Sequence, residues 1–215
     1  MDSWMLLAAE AAEAAGDWGG VTQWDLDILH YIADNIQQDF LTPIMLVITH
    51  MAKAGIFWIL LSAVLIAIKK TRAIGIACAV ALMINVLACN VIFKPIIARP
   101  RPYVFDPSLL NSLLVPEQWD YSFPSGHTSA SFATAGVLPF MKAKKRLAIP
   151  LLILAVLIGL SRLYVCVHYP TDVICGAILG LCAAFLSFLV CTKILEKKLP
   201  KKIYEYDFFK KKEAK

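Results

Sequence analysis

The polar positions of this chain fall in bunches, and long apolar runs separate the bunches. Residues 73–93 and 173–192 carry no charge, and neither do residues 121–141, between Asp120 and Lys142. A helix needs about 20 such residues to cross the hydrocarbon core of a bilayer. Two shorter windows join these, residues 54–68 between Lys53 and Lys69, and residues 147–161 between Arg146 and Arg162. At about 1.5 Å per residue, windows of that length fall short of a full crossing. Snorkelling of Lys53 and Lys69 closes the gap at the first, and the second runs on through Arg162 to about Val167. The pattern predicts an all-α, polytopic transmembrane helical bundle. Its five spans lie at 54–70, 73–93, 124–141, 147–167 and 173–192.

The first fifty residues read differently. Leu26, Leu29, Ile32 and Ile36 stand at helical spacing with acids on the other faces, which predicts a helix lying in the membrane interface. Residues 40–50 are apolar but short. They fit a second interfacial helix, or a sixth span within 37–53. Residues 1–15 are rich in alanine but interrupted by Glu10 and Glu13, and without a basic n-region they do not read as a signal peptide. The expected organisation is an interfacial helical region at 1–53, a transmembrane core at 54–192 and a basic tail at 193–215.

Composition agrees with the pattern. Of the 215 residues, 59% are hydrophobic and 17% charged, where a soluble domain is nearer a half and a quarter. Disorder, a fibrous repeat and a disulfide scaffold are excluded. The cations add an orientation. No Lys or Arg precedes Lys53, whereas the turn at 69–72, the turn at 142–146 and the tail from Lys193 hold 16 of the 21 basic residues. Alternate span ends place all three segments on one side, which should be the cytoplasm. The N-terminus, the 94–123 loop and the 168–172 turn should then lie outside a plasma membrane. The net charge of +5 thus reports topology and contact with the bilayer. It is no nucleic-acid footprint, because the cations are split among membrane-side segments without interleaved aromatics. The six cysteines lie in or beside the spans with no CxxC pair and read as small apolar core residues.

Against so apolar a background, three polar clusters stand out, each at the outer end of a span. Lys94, Arg99 and Arg101 leave the second span together, and Pro95, Pro100 and Pro102 stop the helix and stiffen its exit. Arg101, held between two prolines, suits bidentate binding of an oxyanion. Ser125, Gly126 and His127 open the third span. Ser125 is a candidate N-cap, Gly126 lets a ligand approach the backbone, and free N–H groups at a helix start favour an anion such as phosphate. Arg162 and His168 stand near the end of the fourth span, Pro170 breaks it, and Asp172 opens the fifth with Thr171 as its expected cap. The break lets Asp172 fold back toward His168, accept its Nδ1–H and leave Nε2 free as base or nucleophile. His30 and His50 lack such company and read as interfacial, while Asn85 and Asn90, inside the second span, suit bonds between helices. No His, Cys, Asp or Glu cluster has metal-ligand spacing, so neither a metal nor another cofactor is expected.

These residues resemble a known family. K-x6-R-P at 94–102, P-S-G-H at 124–127 and S-R-x5-H-x3-D at 161–172 are similar to the three motifs of the type 2 phosphatidic acid phosphatase superfamily, in order, spacing and placement. The resemblance covers roughly residues 54–192. It implies that His168 attacks phosphorus to give a phosphohistidine while Asp172 holds its tautomer. It implies that His127 protonates the leaving oxygen and then helps to activate water. Lys94, Arg101, Ser125, Gly126 and Arg162 would hold the phosphoryl oxygens, and Arg99, in the variable stretch, would be an extra contact. Many members have six spans, and the first is not evident here. Small size, short loops and an outward site resemble the undecaprenyl-diphosphate phosphatases, and nearly as much phosphatidylglycerophosphate or phosphatidate phosphatases. A lipid-binding or transport protein with a degenerate site is the reading from another class, and the presence of His168, Asp172 and His127 argues against it.

Overall fold

The computed structural model describes residues 19–198, so the expectations for residues 1–18 and for the tail beyond Lys198 lie outside it. The described residues form helices joined by turns and by one longer loop over 113–125, and contain no strand. In order these are α1 (Gly19–Asn35), α2 (Thr42–Met51), α3 (Ile56–Ala67), α4 (Arg72–Val86), α5 (Lys94–Ile97), α6 (Pro102–Phe105), α7 (Gly126–Phe140), α8 (Lys145–Tyr164) and α9 (Pro170–Lys198). A π-helical stretch, Leu87–Phe93, carries α4 into α5, and a 3-10 turn, Pro107–Ser112, follows α6.

Three stretches among the described residues are long and apolar enough to cross a membrane: Arg72–Phe105, Lys145–Tyr164 and Pro170–Lys193. The expected spans at 73–93, 147–167 and 173–192 fall on these, although α8 already ends at Tyr164. The expected first span, 54–70, corresponds to α3, only 12 residues long and about 18 Å at the helical rise. It passes the same test only together with α2, across a bend of 54°. The expected third span, 124–141, is α7, 15 residues long. Large apolar side chains cover the outside of the bundle, among them Ile59, Val64, Met83, Val91, Ile153, Val156, Ile178 and Phe185. That is the surface a lipid-embedded bundle presents.

The short helix α7 is the hub. It packs most extensively against α9, then α8 and α4. The reason lies in glycines. A Cβ on Gly180 would stand 2.3 Å from the Ser129 carbonyl oxygen, and one on Gly176 would stand 2.8 Å from that of Ser125. On α9, Gly176, Gly180 and Ala184 form one small-residue stripe, and on α7 it meets Ser125, Ser129, Ala133 and Gly136. Small residues at that spacing let two backbones touch in a membrane, where packing replaces the hydrophobic drive. The same contact brings the start of α7 against the start of α9, where the Ser125 N–H donates to the Asp172 carbonyl at 3.1 Å.

The N-terminal helices pack on the body of the bundle. α1 buries Leu26 and Leu29 against Tyr103, Val104, Leu109, Tyr164 and Tyr169. Asp25, expected on a polar face, is fully buried. His30, expected at the interface, pairs through Nε2 with Asp106 at 2.8 Å, while the exposed His50 bonds its own helix at the Leu46 carbonyl. The Asp106 carboxyl is held below its ordinary value: burial works against this, but Ser108 and His30 outweigh it. Cys78, Cys89, Cys166 and Cys191 are buried free thiols, as expected of core residues, whereas Cys182 is exposed on the bundle's outer surface.

Candidate active site

Both basic turns, between α3 and α4 and between α7 and α8, lie at one end of the bundle. At the opposite end converge the exit from α4, the start of α7 and the turn between α8 and α9. All eight expected site residues stand there.

His168 sits in the tight turn that follows α8. Cys166 takes a left-handed conformation (φ 56°), the Val167 N–H donates to the Arg162 carbonyl, and Pro170 opens α9. The imidazole is 1% exposed. Its Nδ1 lies 3.3 Å from Asp172 Oδ2, and Arg101 Nη1 lies 3.1 Å from its Nε2. A guanidinium can only donate, so Nε2 must accept and Nδ1 carries the proton, facing the carboxylate. Burial, and then the charges of Arg101, Arg162 and Lys94, hold the ring's pKa well below the ordinary histidine value. The result is a neutral imidazole whose Nε2 lone pair points into a cationic surround.

Asp172 is oriented by its own helix as well as by its neighbours. It stands in the first turn of α9, and its Oδ2 accepts the Tyr169 N–H at 3.0 Å. That is the back-reaching half of a capping box, so Tyr169, not the expected Thr171, occupies the cap position. Ser122 Oγ donates to the same carboxylate oxygen. The other oxygen, Oδ1, accepts from Arg99 Nη1 at 2.7 Å. Arg99 therefore does not face the Nε2 side. Its Nη2 reaches Asp25 Oδ2 at 2.5 Å, and its guanidinium lies 3.9 Å over the Tyr169 ring.

The cations gather on the other side of the imidazole. Arg101 donates to the Val167 carbonyl at 2.7 Å and to Asp120 Oδ1 at 2.5 Å. Lys94 pairs with Asp120 Oδ2. Burial raises the Asp120 pKa, but Arg101 and Lys94 outweigh it and hold the carboxyl well below its ordinary value. Arg162 is 3% exposed, bonds Thr49 Oγ1 of α2 at 2.6 Å, and buries its Nε without a partner. A buried unmatched donor on a charged group is costly unless an anion completes it.

The start of α7 supplies neutral donors. Ser125 caps it, its Oγ accepting the Thr128 N–H at 3.5 Å. A Cβ on Gly126 would stand 3.9 Å from Lys94 Nζ and 3.6 Å from Asn90 Oδ1, so the backbone here lies beside the cations. Cys89 and Asn90, from the π-helical stretch, border the same point. Wide turns of this kind recur at functional sites. His127 is partly buried beside the same charges and makes no hydrogen bond through its imidazole among the described residues. Among the described residues, no three His, Cys, Asp or Glu side chains are arranged to hold a metal ion.

Sequence reasoning missed Asp25, Thr49, Asp120 and Ser122. Their partners lie between 19 and 146 residues away in the chain, and no spacing rule reaches that far.

Comparison with known proteins shows the family. Residues 75–195 match the PAP2 superfamily. An undecaprenyl-diphosphatase of Sulfolobus acidocaldarius is 40% identical over 131 residues, 60% of this chain and 61% of that protein. The chain thus spans about three fifths of that relative's length. Undecaprenyl-diphosphatase BcrC of Bacillus subtilis is 34% identical, covering 69% of this chain and 74% of its own. The crystal structure of a transmembrane PAP2 type phosphatidylglycerolphosphate phosphatase from Bacillus subtilis superposes with a TM-score of 0.65 at 30% identity, over 92% of this chain and 94% of that one. The apolar helices, the triple motif and these relatives lead to one conclusion: the chain is a multi-pass membrane protein that belongs to the PAP2 superfamily.

Proposed function

We propose that the chain is an integral-membrane lipid phosphatase that works through a phosphohistidine, with undecaprenyl diphosphate as its substrate and undecaprenyl phosphate as its product. The observation that carries this is the two-sided setting of His168, with a carboxylate on Nδ1 and cations around Nε2. The choice of lipid rests on the names of the relatives from Sulfolobus and Bacillus.

In the first step the His168 Nε2 lone pair attacks phosphorus, and the bond from phosphorus to the leaving oxygen breaks. His127 gives that oxygen its proton. Asp172 accepts the Nδ1–H and stabilises the cationic ring that forms. In the second step a water oxygen attacks the phosphohistidine, its proton passes to His127, and the nitrogen–phosphorus bond breaks. Charge in phosphoryl transfer spreads over the equatorial oxygens, so positioned cations and N–H donors are the natural catalysts. Lys94, Arg101 and Arg162 supply the cations, and Ser125 and Gly126 supply the donors. With three fixed cations in place, the reaction needs no metal. The two basic turns face the cytoplasm by the positive-inside rule, which turns the site to the outer face of a plasma membrane.

A second reading, a phosphatidylglycerophosphate or phosphatidate phosphatase, is favoured by the close superposition on the Bacillus subtilis enzyme. One experiment separates the two. Detergent-purified protein is given undecaprenyl diphosphate, phosphatidylglycerophosphate, phosphatidate and glucose phosphate, with chelator throughout and His168→Ala as control. Phosphate release that survives chelator and disappears in the variant is expected, fastest from the diphosphate. No release from any lipid by folded protein would overturn the phosphatase reading and bring forward a binding or transport role.

A further inference from the structure

Two buried ionic residues that occupy no fixed position of the three motifs stand directly behind the reacting pair. Arg99 is 4% exposed and Asp25 is fully buried, positions at which charged side chains are retained only when closely paired. Arg99 divides its fork between two carboxylates from opposite ends of the chain: Nη1 to Asp172 Oδ1 at 2.7 Å, and Nη2 to Asp25 Oδ2 at 2.5 Å. Asp25 in turn accepts from the Thr171 N–H at 3.0 Å and from Thr171 Oγ1 at 2.7 Å. Arg99 Nη1 also meets Thr171 Oγ1 at 2.7 Å. The cluster therefore clamps both the side chain of Asp172 and the backbone immediately before it.

We propose that Arg99 and Asp25 are positioning residues for the His168–Asp172 pair, and that α1 is thereby a working part of the active site. The inference rests on the phosphohistidine reading above. Asp172 has two oxygens, and only Oδ2 faces His168 Nδ1. By taking Oδ1, Arg99 sets the rotation of the carboxylate about its last bond, which turns Oδ2 to the imidazole. Asp25 does two things. It fixes the guanidinium in the plane that makes this possible, and it matches the charge. With Asp25 present, the guanidinium answers two carboxylates rather than Asp172 alone. Without it, Arg99 alone would neutralise Asp172 and draw it away from the ring, and the cationic imidazole of the attack would lose its counter-charge. Lysine cannot replace Arg99, because a point donor cannot hold two carboxylates in one plane.

The test separates positioning from mere anchorage of α1. A second side-chain hydrogen bond, between His30 and Asp106, also ties α1 to the body of the protein but touches neither Asp172 nor His168. Asp25→Asn, Arg99→Lys and His30→Gln are each purified in detergent, checked for folding by thermal melting, and assayed for kcat and KM on undecaprenyl diphosphate. Wild type and His168→Ala in the same assay establish first that the histidine reading holds. No wild-type turnover would sink that reading rather than this one. Asp25→Asn and Arg99→Lys are expected to lower kcat by about 10²-fold, the scale for a misplaced reacting group, with KM within about twofold of wild type. His30→Gln should leave kcat nearly unchanged. The proposal is overturned if folded Arg99→Lys keeps wild-type kcat, or if His30→Gln loses as much as Asp25→Asn. If Asp25→Asn fails to fold, Arg99→Lys, which keeps the charge and most of the volume, decides the matter.

Discussion

Arg99 and Arg101 stand two residues apart in one proline-flanked stretch, yet they serve opposite sides of the same imidazole. Arg99 is engaged on the Nδ1 side, with Asp172 and Asp25. Arg101 is engaged on the Nε2 side, with His168 and Asp120. The local backbone explains the parting. Each arginine precedes a proline, which disfavours helix, and Arg101 has the polyproline II angles φ −72° and ψ 154°. At three residues per turn, side chains two apart in that conformation diverge by about 120°. Ala98, left-handed at φ 48° after α5, aims the whole stretch. On the reading proposed above, one side of the histidine holds charge permanently and the other receives it. On the Nδ1 side the carboxylates and the guanidinium are buried and matched. On the Nε2 side one cation, Arg162, buries an unpartnered Nε, and the two others lean on Asp120, a carboxylate whose side chain is 56% exposed.

Breaking either side should therefore look different. The largest effect is expected on the permanent side. Asp172→Asn removes the acceptor for Nδ1–H and should lower kcat by about 10⁴-fold, as loss of an orienting carboxylate does elsewhere, with little change in KM. On the receiving side, Arg101→Ala should cost about 10²–10³-fold in kcat/KM, with a rise in KM that the asparagine variant lacks. Steady-state kinetics on one lipid substrate would read both, and equal KM values in the two variants would erase the distinction.

A smaller effect tests what brings the sides together. Gly180→Ala places a Cβ against the Ser129 carbonyl and should force α7 and α9 apart. Overpacking of this kind costs about 1–3 kcal/mol, visible as a lower melting temperature in detergent. An unchanged melting temperature would show that the glycine contact does not hold the bundle.

The smallest effects concern Asp120. Any anion that binds Lys94 and Arg101 must displace its carboxylate. Asp120→Asn should strengthen inhibition by inorganic phosphate by up to about fivefold, the range of a partly exposed ion pair, and weaker inhibition would reverse the assignment. The pH sign follows from its lowered carboxyl. The two ion pairs contribute stability that is fully present above the ordinary value of 3.8 and is lost as pH falls through the lower folded value. Tryptophan fluorescence, including the neighbouring and exposed Trp119, should report an acid transition that Asp120→Asn lacks.

Much of this was legible in the sequence, for identifiable reasons. The apolar windows at 73–93 and 173–192 mark helices because bilayer thickness dictates length; α4 with the π-helical stretch after it occupies the first and α9 the second. Lys94, Arg101, Ser125, Gly126, His127, Arg162, His168 and Asp172 were legible because each stands at a span end, where charge and helix-breaking residues are conspicuous. The third span is legible from its lack of charge, and α7 fills residues 126–140 of it, packed against α4, α8 and α9. α2 is ambiguous in the sequence because its 10 residues are too few to span alone; it meets the length only with α3 across a bend, and it hands Thr49 to Arg162.

By itself, then, the sequence determined what is local or repeated at short range. Apolar run length gave the all-helical membrane bundle, cation placement separated its two ends, and three motifs marked the site. Only the tertiary structure decided how buried charges are matched. Asp25 looks in sequence like one acid among several on an interfacial helix, and Arg99 looks like a spare phosphate contact. Folding brings residues 25, 99 and 172 into one buried cluster, where an unmatched charge would be far costlier than at the surface. Pairing of that kind depends on which helix faces lie together across the whole chain, and no window of residues encodes it.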